Sequence, residues 1–500
     1  MVGSKKVDWI RRSNALKFRV RHFIEGRNVE GRGGALKKNG PRDGRMLYRF
    51  RGGNVQDVGE AVSSSRCAFE DGRWSKISVT NRVEIMRKFA SLIEKHSHEL
   101  ALLECLDVGK PISDSVNIDI PMTVASINDA AEAADKLGSR VYGVDQSHLS
   151  YQLRRPRGVV AGLVGWNFPL VLAAAKIGPA LAMGNSLVLK PSEVTSLATG
   201  RLGELAVEAG VPPGVLNIVN GDAGVGAILA HHCDVDMLTF TGSSATGKKM
   251  LIAAGKSNMK RLLLECGGKA PNIVFDDSPH LEAVAEAVVA RAFWNQGQVC
   301  TASSRLLIQE SIKDELLRIV IEKTSELKPG DPLRPETRFG ALVSKSHLQR
   351  VNAFIKDAER EGTQIAYRSD SRPPVPGGFY ASPVIFDNVR PEQQIAREEV
   401  FGPVLSVMGF RDDAEAIQIA NDTIYGLSAV VWTKDVSRAH RVTQGIDAGW
   451  IVVNASDGQV PGTGGGPISV GGHKQSGIGV EGGVQGLEAY TTQTAVQYFL

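Results

Sequence analysis

The sequence predicts an α/β fold built on parallel sheets with crossover helices, and three observations carry that reading. From residue 158 onward, short apolar runs alternate with segments of helical period. Strands are expected at 158–164, 185–190, 215–220, 236–241 and 261–265, and helices at 170–182, 196–209, 224–232 and 246–254. A second series begins near Pro271, with strands at 272–275, 304–309, 404–410, 429–433 and 449–454 and helices at 281–294, 312–328 and 345–361. The 500 residues, 42% apolar and 22% charged, suit a soluble chain of several domain-sized units.

The remaining segments follow in order. Residues 1–52 carry fifteen Lys and Arg against four Asp and Glu. They are expected as a solvated, partly ordered basic extension, in preference to a nucleic-acid or membrane arm. Residues 54–69 and 79–106 place apolar side chains at three- and four-residue spacing with charges between, which predicts helices. Residues 140–156 lack helical period and read as a hairpin outside the main body. The tail 484–500 has β character and is expected to pair with it. Residues 329–380 read as loops apart from the 345–361 helix, and the Gly/Pro-rich stretch 457–472 as a long loop.

Composition narrows the function classes. Five cysteines, widely spaced and with no CxxC pair, support neither a disulfide framework nor a metal centre. They fit a reducing, cytoplasmic compartment. The uncharged run 158–175 is interrupted by Asn167, Pro169 and three glycines, so it reads as strand, turn and helix, with no membrane span.

Several turns hold residues suited to chemistry. Cys300 follows a Gly-Gln-Val turn at the end of an apolar helical run, where a thiol is reachable by substrate. Asn167 lies where a strand gives way to a helix, so its amide either holds an oxyanion or caps the helix. Lys190 and Glu193 sit at the end of the next strand and suit a ribose, with Glu193 favouring NAD by repelling a 2′-phosphate. Gly221–Gly226 and Ser243 open helices, either cradling a diphosphate or serving as plain strand-to-helix turns. Glu265 ends an apolar strand, where poor solvation raises its pKa toward that of a general base. Glu399, in an acidic pair before a tight turn, is placed to hold a second ribose.

Together these motifs resemble the aldehyde dehydrogenase superfamily. The matches run in order over roughly 54–500: Trp166-Asn167-Phe168-Pro169, Lys190-Pro191-Ser192-Glu193, Phe240-Thr241-Gly242-Ser243, Glu265 with Gly267-Gly268-Lys269, Gly297-Gln298-Val299-Cys300, Glu399-Val400-Phe401-Gly402-Pro403, and Lys474-Gln475-Ser476-Gly477. The resemblance implies a Rossmann-like NAD-binding domain (53–139 and 158–267), a catalytic α/β domain (268–470) and a small β arm (140–157 and 484–500) for dimer or tetramer assembly. It implies Cys300 as nucleophile, Asn167 as oxyanion donor and Glu265 as the base that releases the acid from a thioester. NAD would meet Trp166, Lys190, Glu193, Gly224, Ser243, Gly267, Glu399 and Phe401. No metal is implied.

Some positions depart from the family pattern. Gly165 stands for a proline, Ala223 for a glycine and Thr494 for a lysine. Val470 stands for a phenylalanine and Ala175 for a pocket tryptophan. These last two imply a wider substrate pocket, walled by Leu172, Trp294 and Val299. The wording around Met259–Cys266 is similar to the γ-glutamyl-aminobutyraldehyde and ω-aminoaldehyde branch, while an aromatic or terpenoid aldehyde also suits a wide apolar pocket. The rival readings are a CoA-acylating semialdehyde dehydrogenase, which has no need of Glu265, and a non-catalytic scaffold of the same fold.

Overall fold

A computed structural model describes residues 7–144, 147–455 and 468–499. The expected loop at 457–472 therefore lies largely outside the described residues. The first sheet has eight strands. Its middle five, Leu216–Ile218, Ser186–Lys190, Val159–Leu163, Met237–Thr241 and Arg261–Glu265, are parallel neighbours in that order. The chain starts at the centre, winds one way and then returns to wind the other. The strand order reverses between Val159–Leu163 and Met237–Thr241, and such a switch point opens a crevice beyond the strand C-termini. The central three, Ser186–Lys190, Val159–Leu163 and Met237–Thr241, are buried on both faces, as their largely apolar runs require.

The second sheet orders seven strands as Gln364–Arg368, Val384–Asp387, Val404–Phe410, Arg305–Gln309, Pro271–Val274, Ser428–Trp432 and Trp450–Val453. Only the Gln364–Arg368 edge is antiparallel. Separate apolar cores cover the faces of each sheet. A smaller cluster of Phe168, Val171, Val299 and Ala302, with Met122, Leu172 and Trp294 packed on it, joins the two halves.

Local chemistry explains where several helices begin. Asn54 and Asp57 form a reciprocal capping box at the start of Val55–Glu70, and Ser78 caps Val79–Lys95. The expected helix 79–106 is broken at His96, whose ψ of 17° leaves the helical path, and a second helix runs Ser97–Val108.

The N-terminal expectation needs correction. The described part of that extension, residues 7–52, is not simply solvated, because His22–Ile24 pairs with Leu216–Ile218 and extends the first sheet. Buried His22 fixes it there, its Nδ1 accepting the Asn220 N–H at 3.0 Å. The hairpin Ala35–Asn39/Met46–Arg51 then crosses to the second half. There Lys38 Nζ donates to the Val343 carbonyl at 2.7 Å, and Arg42 makes a two-pronged pair with Asp331 at 2.8 Å for each bond. The basic residues are partly spent on joining the halves, which a charge count does not reveal.

The tail divides in the same way. Thr491–Phe499 pairs along its length with His148–Pro156 of its own chain, and Val141–Val144 completes a three-stranded sheet. Gly483–Glu488, expected in the arm, is a helix packed against Ile120–Ala133 and Pro169–Ala182. Gly477–Ile478 caps the edge of the first sheet beside Glu265.

Candidate active site

The turn that carries Cys300 is unusual backbone. Asn295, Gln296 and Gly297 are consecutive residues with φ of 48°, 58° and 72°. Non-glycine residues pay for that conformation, and it persists only where surroundings enforce it. Here they do: Gln298 Nε2 donates back to the Asn295 carbonyl at 3.1 Å, and the Val343 N–H donates to Gln298 Oε1 at 3.0 Å. Gly297 lies against the Gly402 carbonyl, and Gly268 against the Cys300 carbonyl, so closely that a Cβ at either would overlap that oxygen. Three turns, 267–268, 297–300 and 399–402, thus interlock through glycines.

Cys300 and Asn167 line one cavity of about 2140 Å³. Ligand pockets usually enclose roughly 300–1,000 Å³, so this one has room for a dinucleotide and a second molecule together. Asn167 Nδ2 donates one hydrogen to the Gln298 carbonyl at 2.9 Å. A carboxamide nitrogen carries two, which leaves one for a ligand. The backbone N–H groups of Cys300 and Thr301 face the sulfur. Burial, with lesser contributions from Glu265 and Glu399, pushes the thiol up from its ordinary range.

Glu265 is placed differently from Cys300 and Asn167. It does not line the cavity. Its carboxyl lies in the fields of Glu481 and of Lys176, which form an ion pair with each other. Burial first and Glu481 second hold its pKa well above the ordinary carboxylate value, while Lys176 opposes them. It remains within electrostatic reach of the Cys300 sulfur.

All eight expected cofactor residues line the cavity. Lys190 and Glu193 stand together at one end, Nζ to Oε2 at 3.8 Å, and Lys190 also donates to the Pro191 carbonyl at 3.0 Å. Ser243 caps the helix Ser244–Lys256, whose N-terminus opens on the cavity. At Gly226 a Cβ would stand 3.1 Å from Leu163, tightening the same wall. Glu399 Oε1 accepts the Gly268 N–H at 3.0 Å, and burial raises its pKa to about 7. Gly267 is bare where a Cβ would strike the Glu399 carboxylate. Trp166 meets Phe401 edge to face at 5.1 Å between centroids. A helix N-terminus, a ribose-binding edge and an aromatic end along one trough fit a nicotinamide dinucleotide.

Sequence reading missed three residues here. His347 Nε2 donates to the Phe401 carbonyl at 2.7 Å and packs its ring on Trp166, while Arg350 donates to the Glu399 carbonyl at 3.2 Å. Both lie on the helix Lys345–Arg360, one turn apart, and only its Ser344 cap marks the spot in sequence. Asp114 also lines the cavity, hydrogen-bonded to Trp294. Burial, with Asp119 adding to it, raises its pKa to about 6.

Among the expected pocket walls, Leu172, Trp294 and Val299 line the cavity, and Ala175 and Val470 do not. Ala175 faces a separate recess, because it lies one turn further along Pro169–Ala182 than Leu172. Val470 is engaged in a bridge with Glu481.

The model of the aldehyde dehydrogenase family matches residues 29–496. The chain is 45% identical over 449 residues to the NADP/NAD-dependent aldehyde dehydrogenase PuuC of Escherichia coli strain K12, covering 89% of this chain and 88% of that one. It is 41% identical over 461 residues to aminoacetaldehyde dehydrogenase of Pseudomonas aeruginosa, covering 92% and 91%. The structure of the P. syringae indole-3-acetaldehyde dehydrogenase AldA, solved with NAD+ and IAA, superposes with a TM-score of 0.95 at 44% identity over 99% of both chains.

Proposed function

This chain belongs to the aldehyde dehydrogenase family and oxidises an aldehyde to its acid with a nicotinamide dinucleotide, and on that footing we propose that Cys300, Asn167 and Glu265 carry the reaction. The observation that supports the proposal is the shared cavity of Cys300 and Asn167, with the cofactor-binding residues in the same trough. The Cys300 thiolate attacks the carbonyl carbon, forming the C–S bond. The carbonyl oxygen takes the negative charge and accepts hydrogen bonds from the free Asn167 N–H and the Cys300 backbone N–H. The cavity residues would hold NAD+ so that it would supply the acceptor for the hydride leaving that carbon. A thioester on Cys300 remains. Glu265 turns from Lys176 and Glu481 toward the sulfur and takes a proton from water as it attacks; the C–S bond breaks and the acid leaves. Trp166, Phe401, Glu399 and the neighbouring Gly267 would hold the nicotinamide end, and Lys190, Glu193, Gly224 and Ser243 the rest.

Two variants test these assignments. Cys300→Ala abolishes NADH production with every aldehyde. Glu265→Gln accumulates a thioester visible as added mass on the intact protein; steady turnover without that adduct would remove Glu265 from the scheme. Acid release without CoA separates the hydrolytic reaction from CoA acylation.

The substrate class we favour is an ω-aminoaldehyde. Asp114 supports it, as a carboxylate in the cavity wall held by Trp294 and suited to an ammonium group. The 41% identity to an aminoacetaldehyde dehydrogenase points the same way. Asp114→Asn raises KM for 4-aminobutanal about tenfold relative to butanal, the scale of one lost charged hydrogen bond; an unchanged ratio overturns this choice.

Homo-oligomer assembly through the three-stranded sheet is supported by its exposed Val141, Tyr142, Tyr498 and Phe499. A cytoplasmic setting is supported by five free cysteines. Among the described residues no helix is long and apolar enough to cross a membrane.

A further inference from the structure

We propose that Lys38, in the N-terminal hairpin, is a positioning residue for the reaction, setting through Val343 and Gln298 where the Asn167 amide points. The path is a run of buried hydrogen bonds. Lys38 Nζ donates to the Val343 carbonyl at 2.7 Å. The Val343 N–H donates to Gln298 Oε1 at 3.0 Å. The Gln298 carbonyl accepts from Asn167 Nδ2 at 2.9 Å and from Asn295 Nδ2 at 3.3 Å. Asn295 Nδ2 also donates to the Asn167 carbonyl at 3.2 Å. Lys38, Val343, Gln298, Asn295 and Asn167 are all buried. Val343 is thus gripped by both of its backbone groups, one on the hairpin and the other on the turn that ends in Cys300.

A lysine 2% exposed, far from the reacting atoms, calls for a reason, because a buried charge is costly without partners. Burial lowers its pKa to about 8, and the charge of Asp107 opposes that fall. Asp107 is itself fixed, accepting from the Tyr48 hydroxyl and from the Leu197 N–H, each at 2.9 Å. The ammonium group therefore stands between a carboxylate anchored in the first half and a carbonyl of the second. Hydrogen bonds from charged donors are roughly twice as strong as neutral ones, so this one holds Val343 firmly. The neighbouring segment is pinned as well, Ala341 N–H to the Gly109 carbonyl and Leu342 N–H to the Phe379 carbonyl, both at 2.8 Å. Asn295 and Gln296 keep their positive φ only while such surroundings enforce it. Slack at Val343 is passed through Gln298 to the oxyanion donor.

This inference rests on Asn167 as that donor, and the experiment separates the two. Rapid mixing with NAD+ and propanal gives the rate constant for the first NADH formed. It is measured for the native chain, Lys38→Met, Asn167→Ala, Lys38→Met with Asn167→Ala, and Arg42→Ala, with a melting temperature for each. Removing an oxyanion donor costs roughly 100-fold in rate. Lys38→Met loosens the donor without removing it, so the expected loss is about tenfold, with KM for NAD+ unchanged. On the Asn167→Ala background the same change should cost less than about twofold, as coupling through one group requires. Arg42→Ala releases the hairpin at another point, so it lowers the melting temperature and leaves the first turnover at the native rate. A native rate in Lys38→Met overturns the inference. So does a tenfold loss that persists on the Asn167→Ala background or is matched in Arg42→Ala. A native rate in Asn167→Ala overturns the oxyanion assignment and this inference with it, a pattern that failure of Lys38 alone does not produce. If Lys38→Met does not fold because Asp107 is left uncompensated, Lys38→Met with Asp107→Asn removes both charges and is held to the same outcomes.

Discussion

At the scale of single residues, the two groups assigned to the chemistry are both held in their protonated forms by burial. Cys300 and Glu265 each have a pKa above the ordinary value, and Glu265 is raised further by Glu481. A raised pKa on an acid leaves it protonated until the pH climbs past it, so neither nucleophile nor base is ready at low pH. Thioester hydrolysis therefore accelerates as pH rises through the raised Glu265 pKa, and rapid-mixing measurements should show Glu265→Gln flattening that rise. Asp114 titrates in the same direction. With its pKa raised to about 6, it is ionised above that pH and neutral below. The preference for 4-aminobutanal over butanal should fade as pH drops through about 6, and competition assays across roughly pH 5–8, where an ordinary ammonium group stays charged, would read it. Cys300, Asn167 and Glu265 stand out in sequence because each lies at a turn or strand end among glycines, and the fold brings Cys300 and Asn167, but not Glu265, to the wall of one cavity. Asp114, His347 and Arg350 do not, since they project from helix segments whose composition is ordinary. Ala175 was recognised as a small residue, but which of two spaces it faces depends on one turn of helix.

At the scale of elements, most parallel strands of both sheets were legible because a buried parallel strand is largely an apolar run, and Val404–Phe410 and Arg261–Glu265 fall where expected, whereas the short buried strand Val384–Asp387 was not foreseen. Nor were edge elements. His22–Ile24 is three residues long in a basic stretch, and Gln364–Arg368 is half exposed, so neither stands out from a loop. The N-terminal hairpin also carries a testable load. Removing the Arg42 guanidinium leaves the Asp331 carboxylate without its two-pronged partner. Arg42→Ala should cost about 2 kcal/mol, in the range of charged hydrogen bonds, and lower the melting temperature by a few degrees. A melting curve superposable on the native one would show that the hairpin is not a strap between the halves.

At the scale of the whole molecule, a net charge of +4 hides a basic beginning and a mildly acidic remainder. The fold brings the two together, through Arg42 with Asp331 and Arg32 with Asp57 and Glu60. The β arm leaves large apolar side chains in water, with Phe499 81% exposed. A chain cut after Tyr490 should sediment as a smaller species than the full chain; equal sedimentation would move the assembly interface elsewhere. The tail's partner strand was foreseen in outline, whereas the helix that precedes it was not, because Gly483–Glu488 carries two glycines in six residues.

The interlocked glycines around Cys300 have a bearing on redesign. Gly297 rests on Gly402, Gly268 rests on the Cys300 carbonyl, and the Gly268 N–H is tied to Glu399. Any alteration of the loop proposed to hold the reactive ring is therefore transmitted to the backbone of Cys300. Efforts to switch coenzyme preference would do better at Lys190 and Glu193, at the distant end of the trough, where a changed grip leaves the reacting atoms in register.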